Sequence, residues 1–230
     1  MFIDLLDSLR CLRPHEDTWL VGSFDEMDGR DVVRGTLGCP TCRAEYPVRD
    51  GVVYFAEPGP AAARVVGRLT TRALAPTDAD EVVRLAAMLG LVGAGGLVVL
   101  GGRWAALAPA LADLVEQLQL VLIGAAGVPL GGGISALVVD DALPLAAQSC
   151  RAAALDEATA TPGLLAGAAR ALRARGRLVA PVAAPRPAGL VELARDDRVW
   201  VAERTDGDVA GAPVPLTRAR APSEERPDDG

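Results

Sequence analysis

Residues 97–102 read Leu-Val-Val-Leu-Gly-Gly, and this stretch decides the predicted fold. An uncharged apolar run that ends in glycines is typical of a buried parallel strand and the turn behind it. Amphipathic helical patterns lie on both sides of it, one over residues 78–89 and one over residues 104–118. Because strands that alternate with helices form a parallel sheet covered on both faces, the sequence predicts an α/β fold with a doubly wound, mostly parallel sheet.

The same alternation continues along the chain to residue 204. Further strands are predicted at 120–123, 135–139, 152–155, 177–182, 190–194 and 199–203. A helix is predicted to start at Pro162 and to continue to Leu172. The stretches 85–102 and 118–139 carry no charge and are each about as long as a membrane span, roughly 18–20 residues. Glycines and Pro129 interrupt them, so we interpret them as buried strands joined by turns.

Composition narrows the function classes. The 230 residues are 50% hydrophobic with a net charge of −7, and all 23 cationic side chains are arginines. An acidic balance disfavours nucleic acid as a partner, and an aromatic content of only 3% argues against base-stacking platforms. The N-terminus shows neither a basic segment nor an apolar segment of a secretory signal, so a cytoplasmic, reducing compartment is expected.

The pattern divides the chain into four parts. Residues 1–57 form a small first unit with strands predicted at 18–24, 31–37 and 52–55. Residues 58–77 are predicted to be a connector, because Pro58-Gly59-Pro60 breaks regular structure. Residues 78–204 form the α/β unit described above. Residues 205–230 are rich in Pro, Asp, Glu and Arg and are predicted to be a disordered tail.

The strongest chemical signal is a set of four metal-ligand residue types in the first unit: Cys11, His15, Cys39 and Cys42. Two short chelating loops, Cys-x3-His and Cys-Pro-Thr-Cys, suit the tetrahedral site that Zn²⁺ prefers. Such a closed site leaves no position for a substrate, so we predict a structural zinc. The alternatives are two unrelated buried thiol clusters and a redox Cys-x-x-Cys pair. The unit is so small that metal is expected to supply much of its folding energy.

The short sequence segments around these ligands resemble those of a known family. Residues 5–11 (LLDSLRC), 38–42 (GCPTC) and 45–52 (EYPVRDGV) resemble the short zinc-ribbon family that includes the activator subunit of tRNA and release-factor methyltransferases. The first pair of predicted ligands departs from the family pattern. The family commonly has Cys-Pro-x-Cys where this chain has the segment from Cys11 to His15. The resemblance implies a ribbon that docks against a methyltransferase and leaves the chemistry to that partner.

The second unit resembles the Rossmann-like fold of class I S-adenosylmethionine-dependent methyltransferases. The resemblance rests on residues 97–102, on 140–145 (DDALPL) and on 171–179 (ALRARGRLV). It implies cofactor-binding roles for Gly101, Gly102, Asp140 and Asp141. Two acids that the family uses are missing. The first strand ends at Leu100-Gly101 and the second at Ile123-Gly124, and neither end carries a carboxylate. In addition, the family commonly has small residues at the positions of Arg103 and Trp104.

These departures lead to competing functional hypotheses. The first is a degenerate methyltransferase-like protein with structural zinc that acts as an interaction or regulatory subunit, with a protein partner that is itself a methyltransferase. The second is an active S-adenosylmethionine-dependent methyltransferase with an atypical cofactor loop. A third is a nucleotide-sugar or dinucleotide enzyme, since glycine-rich strand ends recur among such folds. Two acids, Asp156 and Glu157, follow the fourth predicted strand of this unit. Ligand binding and helix capping are both possible roles for them. Trp104 and Cys150 are predicted to be packing residues.

Overall fold

The computed structural model describes residues 1–56, 78–124 and 127–205. The predicted connector, 58–77, and the predicted tail from residue 206 onward lie outside these residues. Within the described part, no helix is both long enough and apolar enough to cross a bilayer. The uncharged stretches 85–102 and 118–139 instead contain strands of the central sheet, as their glycines predicted.

One sheet of eleven strands organises the part of the chain that the structure describes. In chain order the strands are β1 Val21–Asp28, β2 Asp31–Gly38, β3 Glu45–Arg49, β4 Val52–Tyr54, β5 Gly96–Gly101, β6 Leu118–Ile123, β7 Ile134–Val138, β8 Cys150–Ala154, β9 Leu172–Pro181, β10 Leu190–Arg195 and β11 Val199–Arg204. Their spatial order is β1-β2-β3-β4-β7-β6-β5-β8-β9-β11-β10. The six strands from β4 to β9 in this order are mutually parallel, and both ends of the sheet are antiparallel.

The segment from β5 onward confirms the predicted α/β class. Strands β7-β6-β5-β8-β9 follow the 3-2-1-4-5 order of doubly wound sheets, in which the chain switches direction between its first and fourth strands. That switch point lies between β5 and β8. The carboxyl ends of β2, β4, β5, β6, β7 and β8 all reach the same edge of the sheet, which we call the carboxyl edge.

Among the described residues, three α-helices cover this sheet: α1 Ala79–Leu89, α2 Ala108–Leu114 and α3 Pro162–Ala171. Asp78 caps α1 by accepting a hydrogen bond from the Asp80 N–H, and Gly90 ends it with a φ of 64°. Thr161 caps α3 in the same way, accepting from the Leu164 N–H. These ends agree with the sequence prediction, because caps depend on residues only a few positions apart.

Other boundaries differ from the prediction. The helix predicted at 104–118 is a 3₁₀ turn, Gly102–Leu107, followed by the short α2, because Pro109 suits only the start of an α-helix. The strand predicted at 177–182 starts earlier, at Leu172, and a bulge near Arg175 (φ 60°) absorbs the extra residues. The first strand starts at Val21 instead of residue 18.

Two apolar clusters lie on opposite faces of the sheet. Helices α1 and α2 pack on one face, and α3 packs on the other. The cluster beneath α3 also contains apolar residues of the first unit, among them Leu5, Leu9, Leu37 and Val48. Strand β4 pairs with β7 in parallel, so the sheet runs without a break from the first unit into the second. The N-terminal unit therefore buries apolar side chains of its own, which the sequence analysis did not anticipate.

Candidate functional site

The four predicted metal ligands converge at the carboxyl edge. Cys11 and His15 lie in the loop that leaves the first 3₁₀ turn, Ile3–Ser8, and Cys39 and Cys42 lie in the turn between β2 and β3. Their ligand atoms all lie within 4.8 Å of one another. Cys39 is buried, Cys42 is exposed, and the other two are half-buried.

The distances suit a tetrahedral zinc site. The Sγ atoms of Cys11 and Cys42 are 3.6 Å apart, and the Sγ of Cys39 is 3.4 Å from Nε2 of His15. Two thiolates on one zinc ion lie about 3.8 Å apart, and a thiolate and an imidazole nitrogen about 3.6 Å, given the usual bond lengths. For these two pairs, an ion requires shifts of only a few tenths of an ångström.

The surroundings of the ligands also suit a metal. Nδ1 of His15 lies 2.7 Å from the Glu16 carbonyl oxygen, which can only accept, so Nδ1 carries the proton and Nε2 offers a lone pair to the cluster. At Cys39, burial opposes ionisation, but hydrogen bonds from the backbone of Cys42 and Thr41 outweigh it and lower the pKa to about 6. A deprotonated sulfur is the form that binds metal.

Tyr46 ties the first ligand loop to the sheet. Its hydroxyl lies 3.2 Å from Sγ of Cys11 and accepts a hydrogen bond of 3.3 Å from the Leu12 N–H. Burial, followed by the contact with Cys11, raises the pKa of Tyr46 to about 12. The phenol therefore stays neutral near neutral pH and can donate to the sulfur. Sequence analysis placed Tyr46 in the ribbon motif but assigned it no contact.

The four residues implied as cofactor-binding lie as two pairs along the carboxyl edge. Gly101 and Gly102 lie together at the carboxyl end of β5. Asp140 and Asp141 follow β7, which is two strand spacings away across the sheet, roughly 10 Å. Asp141 is engaged at the start of α3, where its carboxylate accepts hydrogen bonds from the Thr161 hydroxyl and, at 3.0 Å, from the Gly163 N–H.

The glycines at the switch point are covered by the chain itself. Gly102 has a φ of 59°, and a Cβ built on it would lie 2.1 Å from the Asp156 carboxylate. A Cβ on Gly101 would lie 2.5 Å from Oγ1 of Thr159, and one on Gly124 would lie 3.3 Å from its methyl group. The turn from Asp156 to Thr159, which we call the crevice turn, therefore lies directly against the glycines at the carboxyl ends of β5 and β6.

Hydrogen bonds hold the crevice turn in that position. The Asp156 carboxylate accepts from the backbone N–H groups of Arg103, Ala158 and Thr159, at 2.9–3.1 Å, and from the Thr159 hydroxyl at 2.8 Å. Four donors satisfy most of the accepting capacity of one carboxylate. Asp156 thus serves the turn, and its hydrogen-bonding capacity is not directed at a ligand.

Trp104 and Cys150 behave as packing residues, as predicted. Trp104 is only 4% exposed and belongs to the cluster beneath α1 and α2. The Arg103 guanidinium lies 4.1 Å from the centroid of its ring. Cys150 is buried in β8, and burial raises its pKa to about 12, so this thiol stays protonated near neutral pH.

A cavity of about 490 Å³ lies between the metal cluster and the carboxyl ends of β4 and β7. Of the predicted cofactor residues, Asp140 lines it. The full lining consists of Leu12, Arg13, Ala44, Glu45, Tyr46, Pro47, Arg49, Tyr54, Phe55, Ala56 and Asp140. Sequence analysis did not identify this cavity, because its walls come from separate segments that meet only when β4 pairs with β7.

Comparison with known proteins gives partial structural likeness only. No protein-family model matches the chain, and no curated protein matches its sequence. A geranyl diphosphate methyltransferase in complex with GPP and sinefungin aligns with 14% identity and a TM-score of 0.42 over 53% of this chain and 65% of that chain. The geranyl diphosphate C-methyltransferase of Streptomyces coelicolor A3(2) aligns with 17% identity and a TM-score of 0.35 over 44% and 42%.

The antibiotic-resistance methyltransferase Kmr aligns with 16% identity and a TM-score of 0.36, over 55% of this chain and 93% of that chain. The chain spans less than two thirds of the length of the two geranyl diphosphate enzymes. Each of these proteins is similar in structure to part of this chain.

Proposed function

We propose that this chain is a zinc-stabilised, methyltransferase-like protein that has lost catalysis and acts as an interaction subunit. The observation that carries the proposal is the position of Asp156, whose carboxylate lies where any side chain on Gly102 would have to go. In α/β sheets of this order, ligands bind outside the carboxyl ends of the strands at the switch point. In this proposal the crevice turn occupies that position.

The missing acids support the same proposal. The strand ends at Leu100-Gly101 and Ile123-Gly124 carry no carboxylate to hold the polar groups of an adenosyl cofactor. Each lost charge-assisted hydrogen bond costs on the order of 1–3 kcal/mol of binding free energy. Two such losses weaken binding by about two to four decades before the crevice turn is considered.

The zinc proposed for Cys11, His15, Cys39 and Cys42 would be structural. Four protein ligands complete a tetrahedron, so the ion would hold the two loops together and would not activate water. A protein partner, itself a methyltransferase, is proposed to dock beside this site. Strand β1 is the edge of the sheet there, and Trp19 and Val21 expose about two thirds of their surface next to the first loop.

Calorimetric titration of the full chain with S-adenosylmethionine and S-adenosylhomocysteine tests the loss of catalysis. We expect no saturable heat up to about 1 mM ligand. Binding in the micromolar range would overturn the proposal. The variant D156A/T159A separates the two causes: if it binds cofactor, the crevice turn alone excludes it, and if it does not, the missing acids suffice.

A further inference from the structure

A small cavity lies on the face of the sheet that α1 and α2 cover, away from the metal cluster. Three segments form its walls: α1, the 3₁₀ turn that follows β5, and the turn between β10 and β11. Its polar walls are supplied by the side chains of Glu81, Arg84, Arg103, Trp104, Asp196 and Arg198. These segments are far apart in the chain, so only the folded sheet brings their arginines together.

The indole N–H of Trp104 is a buried donor without an acceptor. The ring is 4% exposed and packs in the apolar cluster, yet its Nε1 has no hydrogen-bond partner among the residues that the structure describes. Buried tryptophan N–H groups normally find an acceptor. Trp200 does so, because its Nε1 donates to the Ala184 carbonyl at 3.0 Å. Since Trp104 lines the cavity, an acceptor bound there would supply the missing partner.

The charged groups around the cavity have a surplus of one positive charge. Three arginines and two carboxylates line it. Arg84 pairs with Asp196, with 2.5 Å between Nη2 and Oδ2, and the other oxygen of Asp196 accepts two backbone N–H groups of its own turn at 2.8 Å. Glu81 can neutralise only one of the two remaining arginines, Arg103 and Arg198. An anion therefore suits this cavity better than water does, because water would leave one cation uncompensated.

The guanidinium groups of Arg103 and Arg198 have free donors. Neither group makes a hydrogen bond or an ion pair with a residue that the structure describes. The backbone of each residue is nevertheless fixed, because the Arg103 N–H donates to Asp156 at 2.9 Å and the Arg198 N–H donates to Asp196 at 2.8 Å. The Arg103 guanidinium also lies over the Trp104 ring, 4.1 Å from its centroid. Two arginine forks are thus anchored beside one unsatisfied indole N–H.

We propose that this cavity binds a small oxyanion, namely a carboxylate or phosphate group. The cavity has a volume of about 40 Å³, and one water molecule needs roughly 10–15 Å³ of such space, so about three water-sized groups fit. This space suits the oxygens of one such group and is too small for an adenosyl cofactor. One oxygen would accept from the Trp104 N–H, and the others would accept from Arg103 and Arg198. The site goes beyond the proposed function and does not depend on it.

NMR of the ¹⁵N-labelled full chain tests this proposal through the indole N–H signals of the three tryptophans. Sodium formate, acetate, phosphate and sulfate are added separately, and sodium chloride at the same ionic strength is the reference. At least one oxyanion should shift the Trp104 signal saturably, with half-saturation below about 10 mM. The Trp200 signal should not move, because that N–H already has an acceptor. A response to formate and acetate alone identifies a carboxylate site, and a response to phosphate and sulfate alone identifies a phosphate site.

The variant R198Q tests the proposed role of the arginines without disturbing the core, since Arg198 is exposed. It should weaken oxyanion binding about tenfold or more, as expected for a lost charged hydrogen bond. R34Q is the matched control, because it removes one exposed arginine outside the cavity, and it should bind like the unmodified chain. The proposal is overturned if no oxyanion shifts the Trp104 signal below about 10 mM, if chloride shifts it equally, or if R198Q and R34Q bind equally.

Discussion

The metal cluster lies on the same edge of the sheet as the switch-point crevice, which is the space at the carboxyl ends of β5 and β6. Each region contains residues to which the sequence assigns a role in binding a metal or a cofactor. In the first, four predicted ligand atoms converge within 4.8 Å. In the second, Gly101 and Gly102 lie together but face the crevice turn, and the two aspartates lie beyond a neighbouring strand. A site built from short chelating loops is set locally, whereas a site built from strand ends depends on what else packs against them.

The largest expected effect is on metal content. The variant C39S should lower bound zinc from about one per chain to near zero, because a buried thiolate is replaced by a poor ligand in a four-ligand site. Elemental analysis after gentle purification measures it. C150A, which removes the only cysteine outside the cluster, should retain the metal. Equal metal content in both variants would exclude the proposed site.

The next largest effect is expected on the free energy of unfolding when the glycine beside the crevice turn is substituted. The substitution Gly102→Ala places a Cβ 2.1 Å from the Asp156 carboxylate at a positive φ, and we expect it to lower the free energy of unfolding by about 2–4 kcal/mol. Gly132→Ala is the matched control, since Gly132 has a φ of 62° and open space around its Cβ position. Its cost should be about 1–2 kcal/mol. Urea unfolding measures both.

If G102A is no more destabilising than G132A, Asp156 does not occupy the space above Gly102. The double variant G102A/D156A sharpens the comparison, because removal of the carboxylate should recover part of the loss if the two groups overlap.

Removal of the metal should loosen the two ligand loops and leave the central strands of the sheet unchanged. Chelation is expected to speed amide hydrogen exchange roughly tenfold to a hundredfold in residues 10–19 and 38–45, since the two loops then lose their shared ion. Amides of β5, β6 and β8 should keep their protection, because these strands lie in the middle of the sheet and bury their side chains. Global unfolding on chelation would show that the metal supports the whole sheet.

The smallest effect is expected at Tyr46. The variant Y46F keeps the ring packed on Phe55 but removes the hydroxyl that contacts Cys11 and Leu12, so it should cost about 1 kcal/mol of stability. Zinc affinity should fall by about tenfold or more, as for other groups behind metal ligands. Y54F is the control, because the Tyr54 hydroxyl makes no hydrogen bond with the residues that the structure describes. Equal zinc affinity in Y46F and Y54F would rule out this role.

Much of the framework follows from the sequence alone. Most elements were predictable because their signals depend on neighbours within a few positions. These signals are the apolar run at 97–100, the cap at Asp78, the helix stop at Gly90 and the helix start at Pro162. The spacing of the two chelating loops likewise identified the four clustered residues before any coordinates. The boundaries of the four predicted parts of the chain stay a prediction.

Only the tertiary structure determines which residues lie in front of the carboxyl ends of the strands. No local pattern reveals that Asp156 and Thr159, more than fifty residues after Gly102, fold back over the glycines, or that Asp140 faces a cavity with Tyr46 and Phe55. Both facts follow from the order of strands in the sheet, which places β8 beside β5 and β4 beside β7. Sequence records which residue types are present at each strand end, but only long-range pairing determines which neighbours occupy the space in front of them.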